Sequence, residues 1–313
     1  MKRSVQLLAI STLAAGMAAC GGSGSDSDSS ASSGTGTVSF GITDAPAMDL
    51  SNVTIAFTEI RLKPENGQWV EFPLEGFEQV NLLDLQGGLS EPLITDEEVP
   101  AGTYTELRLI VDTDNSFVKR ESTGDSEYSL AVPSGEQSGL KLKGDFLVAA
   151  DTTTNFTIDF DVRKSIVNPQ GKALADYMLK PSLRLVNNLE VGSISGQVDV
   201  ALIRSTRLED EALTDCEYDG AVYVFSGENA ETSDLNVNNE EGNPLMIVPV
   251  EPDDESSLYS YTAAFLPEGN YTISYSCQED NNEQDDNLDF EGTQSLEVVA
   301  NQTTEAELIP LVE

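Results

Sequence analysis

The residues of this chain most able to do chemistry are its carboxylates. Among 313 residues there are 55 Asp and Glu against 16 Lys and Arg, and there is no histidine. The missing imidazole removes the usual base of Ser-His-Asp and Cys-His catalysis and the usual ligand of zinc and haem. What remains is oxygen chemistry: hard-cation binding, or acid–base work by paired carboxylates. Asp44, Asp159 and Asp161 form one candidate set. Asp159 and Asp161 stand two apart in an alternating run and so share a strand face, while Asp44 ends a predicted strand. Brought together, the three would suit calcium. The plainer reading, favoured by the spacing, makes Asp44 the cap of the Ala45-Pro46 turn through an Asx-type bond. Asp159 and Asp161 then form a solvated face, with Asp161 near Arg163.

A second set lies in Asp285-Asp286-Asn287-Leu288-Asp289. Asp285, Asn287 and Asp289 occupy the first, third and fifth places of an EF-hand loop. The sixth is Phe290 instead of Gly and the twelfth is Leu296 instead of Glu, so the sharp turn and the bidentate ligand are both absent. A solvated acidic loop, or a looser calcium site, is left. Lys164-Ser165 and Lys180 hint at a Ser/Lys nucleophile, but neighbours on a strand point to opposite faces. Among so many carboxylates no pair singles itself out for glycoside hydrolysis. The sequence thus points to a non-enzymatic chain with no catalytic residue and a ligand-binding, adhesion or structural role at the cell surface; no cofactor is expected, calcium being the one candidate. Two competing roles are an accessory subunit or hydrolase acting on extracellular polysaccharide or peptide, and a calcium-dependent adhesion or scaffold module.

The charge narrows the partners. A formal net charge of −39 repels nucleic acid and anionic headgroups, so no nucleic-acid partner is expected. The charge is uneven: residues 36–190 hold 25 acids and 12 bases, whereas residues 191–313 hold 28 acids and only Arg204 and Arg207. That suits a solvated surface in a saline exterior, where screening is strong.

The N-terminus indicates export. Lys2 and Arg3 precede an apolar stretch from Val5 to Ala19, too short for a membrane span and typical of a secretory signal. Met17-Ala18-Ala19-Cys20 resembles the lipobox of bacterial lipoproteins. The resemblance implies cleavage before Cys20 and acylation there, and two or three acyl chains anchor stably. Gly21 follows Cys20 where a retention signal would carry Asp, which by the same resemblance favours the outer membrane of a Gram-negative bacterium. The Gly/Ser/Asp run after it is a flexible tether with a reach of roughly 20–25 Å. With Cys20 lipidated, Cys216 and Cys277 remain. An oxidising envelope favours a disulfide between them, the alternative being two buried thiols.

The elements that must position these residues are strands. Val38, Phe40 and Ile42 alternate with small or polar residues. Val53 to Leu62 alternates with a phase shift near Phe57, which marks a bulge. Pro64-Glu65-Asn66-Gly67 is a hairpin turn, with Trp69, Val70 and Phe72 returning. Leu107, Leu109 and Val111 form one apolar face, and Phe156, Ile158, Phe160 and Val162 another. One short helical turn is expected over Arg207–Leu213. The spacing of short strands between Gly, Pro, Asn and Asp predicts an all-β chain of two tandem sandwiches. The boundaries are residues 1–19 for the signal peptide, 20–36 for the lipidated Cys20 and linker, and 37–190 and 191–313 for the sandwiches. Val99-Pro100-Ala101-Gly102-Thr103-Tyr104-Thr105 is echoed by Leu266-Pro267-Glu268-Gly269-Asn270-Tyr271-Thr272. In both, Pro and Gly make a tight turn that feeds Tyr into a strand.

With that turn, residues 192–313 resemble transthyretin-like and carboxypeptidase-regulatory-like (broadly Ig-like) sandwiches. Residues 36–190 resemble the bacterial lipoprotein family known as domain of unknown function 4382. The likeness rests on Phe40-Gly41-Ile42-Thr43-Asp44-Ala45-Pro46, Val80-Asn81-Leu82-Leu83-Asp84-Leu85, Val99 to Tyr104, Ile158-Asp159-Phe160-Asp161 with Ser165-Ile166, and Leu179 to Arg184. It implies a lipid-anchored envelope domain with no assigned activity. The expected partners are the membrane, through the lipid, and an extracellular polysaccharide or protein ligand. Trp69, Tyr128 and Tyr177 are the aromatics able to stack on a sugar, if they are not simply filling core or strand positions.

Overall fold

A computed structural model describes residues 34–45, 50–124, 126–133, 135–169, 175–209, 216, 218–239, 241–253 and 256–311. The predicted signal sequence, Cys20, most of the predicted tether and Pro46 lie outside the described residues. The chain is all-β. Eleven strands come first: β1 (Thr35–Ala45), β2 (Leu50–Pro64), β3 (Val70–Asn81), β4 (Glu91–Pro100), β5 (Gly102–Arg120), β6 (Glu127–Ala131), β7 (Leu140–Val148), β8 (Thr153–Asp161), β9 (Ile166–Val167), β10 (Tyr177–Leu179) and β11 (Leu183–Asn187). Eight follow: β12 (Val191–Val198), β13 (Ala221–Ser226), β14 (Met246–Pro249), β15 (Glu251–Pro252), β16 (Tyr259–Pro267), β17 (Gly269–Ser276), β18 (Glu291–Val298) and β19 (Thr303–Glu305). Among the described residues, three α-helical pieces interrupt them, α1 (Gly135–Ser138), α2 (Val162–Ser165) and α3 (Val200–Glu209), with two 3-10 turns at Leu82–Asp84 and Glu121–Thr123.

Two sheets build the first sandwich. One has the order β11-β8-β1-β4, and the other β3-β2-β5-β6-β10-β9, with β7 also on β5. Its core interleaves Phe40 and Ile42 of β1 and Phe156, Ile158 and Phe160 of β8 with Phe57, Ile60 and Leu62 of β2 and Leu107 and Leu109 of β5. Each such side chain contributes about 1.5–3 kcal/mol on burial. The alternation predicted for these strands is what puts them on one face. The phase shift in β2 is real: pairing slips between Phe57 and Glu59 against both neighbours, so Val53, Ile55 and Phe57 are buried before it and Ile60 and Leu62 after it.

The second sandwich stacks β15-β16-β12-β19 on β14-β13-β17-β18. Ile194, Val198, Tyr261 and Ala263 meet Val222, Val224, Ile273 and Tyr275 between the sheets. The far face of β13 is covered too, because Tyr223, Phe225 and Ile247 pack with Leu235, Leu288 and Phe290 from the long loops. This double burial explains why β13 reads as an unbroken apolar run. Cys216 and Cys277 are joined as a disulfide, and Cys277 lies in this core. Helix α3 starts seven residues before the helical turn predicted from the sequence. Asp199 is the signal the sequence reading missed: its Oδ1 accepts a hydrogen bond from Leu202 N at 2.9 Å and caps the helix.

The internal echo has a physical counterpart. Tyr104 Oη donates to Pro100 O, and Tyr271 Oη donates to Pro267 O, each at 2.8 Å. Gly102 and Gly269, at φ of 145° and 158°, let each chain double back within one turn. Both rings are buried. Each sandwich thus carries the same tyrosine-pinned corner. Removing either hydroxyl with Tyr104→Phe or Tyr271→Phe is expected to lower stability by about 1 kcal/mol. Urea midpoints check this, and the two losses add because the corners lie in different cores.

Candidate functional site

The change of sheet falls between Asn187 and Val191. The intervening residues are tied down: Asn188 N donates to Asn155 O at 2.9 Å, and Glu190 O accepts from Glu268 N at 3.1 Å. Ser33–Glu313 accordingly forms one compact unit.

A helical turn makes a second contact. The strand β8 ends where Asp161 Oδ1 accepts from Lys164 N at 3.1 Å and starts α2. The turn aims two cations of the first sandwich at the second. Lys164 Nζ donates to Pro244 O at 2.9 Å and to Leu245 O at 3.3 Å. Arg163 Nη2 lies 3.4 Å from Asp280 Oδ2, with side-chain exposures of 5% and 0%. Asn282 Nδ2 donates back to Arg163 O. The more acidic sandwich therefore receives counter-charge from the less acidic one. Its own bases are also engaged: Arg207, buried, pairs with Asp289 and Glu291, and Arg204 pairs with Asp219.

Asp280 sits where two loops of the second sandwich meet. The loop after β13 and the loop after β17 are joined by Val237 N to Asn282 O at 2.9 Å and Asn236 Nδ2 to Asp285 Oδ1 at 2.7 Å. Asp280 Oδ2 accepts from Tyr223 Oη at 2.9 Å and from Leu235 N at 3.2 Å. Burial pushes the Asp280 carboxyl above the usual carboxylate range, and Arg163, Tyr223 and Leu235 pull it back. Asp234, Asp280 and Asp286 each place an oxygen within 4.8 Å of the others.

The structure distributes the residues predicted from sequence differently. Asp44 Oδ1 accepts from Val162 N at 3.2 Å, linking β1 to α2. Asp159 is not solvated. It is buried and paired with Arg184, which stands directly opposite on β11. Burial raises its carboxyl and Arg184 opposes the rise. Asp161 is the cap of α2 and pairs with Lys164 at 3.0 Å, not with Arg163. Asp44 and Asp159 border one small cavity of about 20 Å³, to which Asp161 does not contribute. The triad Asp44, Asp159 and Asp161 is thus committed to backbone, Arg184 and Lys164 contacts. Of the acidic run, Asp285 binds Asn236 and Asp289 binds Arg207, while Asn287 is exposed. Ser165 and Lys164 share a helical turn, not a strand. Ser165 Oγ accepts from Ser182 N at 2.9 Å, and Lys164 points to the other sandwich.

The aromatics separate as well. Arg108 lies over the Trp69 ring, 4.4 Å from its centroid, and Lys63 approaches it at 5.8 Å. Tyr177 is buried, in edge contact with half-buried Tyr128 at 6.1 Å between centroids. Tyr128 opens onto a groove of about 650 Å³ along β5, β6 and β10, with Phe117, Pro133, Asp114, Glu127 and Ser129 on its walls.

Residues 35–181, a little under half of the chain, match the family model described as Domain of unknown function (DUF4382). The boundaries enclose the motif residues given above except Ser182, Leu183 and Arg184, which lie just past the end of the match. In the structure, several of those residues do mechanical work: Thr43 Oγ1 donates to Leu85 O and Leu89 O, and Asn81 Oδ1 accepts from Val53 N. No curated protein matches the sequence. Among solved structures, the Bacillus anthracis TIE protein is 11% identical with a TM-score of 0.17; the match covers 88% of this chain and 34% of that one, so the chain spans about a third of its length. A putative adhesin from Bacteroides ovatus ATCC 8483 is 10% identical with a TM-score of 0.20, over 95% of each chain. GBS52, the minor pilin of Streptococcus agalactiae, is 9% identical with a TM-score of 0.18, over 88% of this chain and 98% of that one.

Proposed function

We propose that this chain is a non-enzymatic protein of the cell envelope, held to the outer membrane by lipid on Cys20, which binds an extracellular polysaccharide or protein ligand. The observation that carries the reading is the groove beside Tyr128. At about 650 Å³ it has the size of a ligand site. It joins the half-buried ring of Tyr128 to the acceptors Asp114 and Glu127, a pairing of apolar face and polar rim that suits the faces and hydroxyls of a neutral sugar. Trp69 is the weaker candidate, because Arg108 already covers its ring.

The test is a screen of the purified protein against polysaccharide and peptide libraries, with Tyr128→Ala alongside. Binding without turnover, lost in Tyr128→Ala, is the expected result. Products released from any library member would overturn the non-enzymatic reading, and binding unchanged in Tyr128→Ala would move the site elsewhere. In the same cells, Cys20→Ala is expected to shift the protein from the membrane to the soluble fraction; retention on the membrane would overturn the lipid anchor.

A further inference from the structure

We propose that Asp234, Asp280 and Asp286 bind one divalent cation of the calcium type, at the seam between the two loops of the second sandwich. The three carboxylates come from both loops: Asp234 follows β13, and Asp280 and Asp286 follow β17. Their oxygens lie within 4.8 Å of one another, close enough for a single ion to touch all three at the 2.3–2.6 Å typical of calcium.

Convergent acids alone are weak grounds in so acidic a chain. The independent observation is Asp280. Its side chain has no solvent exposure, its Oδ2 carries three contacts, and its Oδ1 is buried with no hydrogen-bond partner. An orphaned carboxylate oxygen in the interior is costly, and a hard cation relieves it. Asp234 and Asp286 are half-buried, which leaves a path for the ion and for the water that completes its shell. Charge gives a further check. Three carboxylates offset by the Arg163 guanidinium, itself 5% exposed, leave a formal charge of −2, the charge one divalent ion neutralises. Magnesium fits less well, because it requires an octahedral shell and dehydrates reluctantly. The ion would clamp two loops otherwise joined by hydrogen bonds, including Asp286 N to Asp234 Oδ2. Asp280 also meets Arg163, so the clamp would reach the junction between the sandwiches.

The test uses the full chain, purified in detergent and stripped with a chelator. Calcium is expected to raise its thermal midpoint, with a dissociation constant of about 10⁻⁴–10⁻³ M, and chelator to reverse the rise. In Asp234→Asn/Asp286→Asn the rise should vanish. In Glu97→Gln/Glu98→Gln, which removes two exposed acids of β4, it should persist. No shift in the unaltered chain, or an equal shift in Asp234→Asn/Asp286→Asn, overturns the proposal, and so does equal loss in both double variants, which would mark diffuse screening. Should the first double variant not fold, Asp286→Asn alone decides through terbium emission excited by Tyr223, whose hydroxyl touches Asp280. Loss of most of the emission supports the site, and unchanged emission overturns it.

Discussion

Arg163→Met, measured by urea unfolding in chelator, should lose about 3–5 kcal/mol. The size follows from burial. Arg163 and Asp280 are 5% and 0% exposed at the side chain, so removing the guanidinium strands a carboxylate that water cannot reach. An exposed pair behaves differently: Arg204 and Asp219 are 43% and 45% exposed, and Arg204→Met should cost at most about 1 kcal/mol. Arg163→Met/Asp280→Asn should recover much of the loss, since the penalty lies in the uncompensated charge and not in the absent bond. The chelator matters, because a divalent ion near Asp280 would partly replace the guanidinium. A loss for Arg163→Met no larger than that for Arg204→Met would mean that the junction does not rest on this pair. The effect should also register in the unfolding of both sandwiches, because α2 belongs to the first and Asp280 to the second.

Reduction of the Cys216–Cys277 disulfide should lower the stability of the second sandwich by about 2–5 kcal/mol. The bond closes a loop of 60 intervening residues, for which chain entropy alone gives roughly 4 kcal/mol. That loop holds β13 to β17 and one side of the candidate cation seam, Asp234, while Asp280 and Asp286 follow just beyond Cys277. Reductant is a cleaner probe than substitution here, because Cys277 is fully buried and a smaller side chain would add a cavity. The first sandwich contains neither cysteine and has its own core. Calorimetry with reductant should therefore show the second sandwich melting earlier, as a shoulder or a separate transition. A thermogram unchanged by complete reduction would show that the bond adds no stability.

The elements were legible because their causes are local. Alternation in β2, β5 and β8 predicted the buried faces, and the slip near Phe57 was visible as a break in period two. The repeated Pro-x-Gly-x-Tyr turn was visible too, and each copy yields the same Tyr-to-Pro hydrogen bond. A residue's surroundings were not legible where a distant segment supplied them. Asp159 looked solvated by its place in an alternating strand, yet β11 and the second sandwich cover it. Arg163 looked like the neighbour of Asp161, yet its partner is Asp280, far along the chain. Asp234 and Asp286 carried no spacing signal toward one another, since the EF-hand-like pattern drew attention to Asp285, Asn287 and Asp289.

By itself, the sequence determined that this chain is all-β, that imidazole chemistry is closed to it, and that charge is concentrated in the second sandwich. Periodicity, turn residues and composition act over a few residues or over the whole chain, and both can be read without coordinates. Tertiary structure alone decided which carboxylates lose water, which find a cation of the other sandwich, and which three converge. That choice depends on desolvation, which belongs to the packed arrangement and not to any residue type: one Asp among many becomes distinctive only when the fold removes its solvent and leaves one oxygen without a partner.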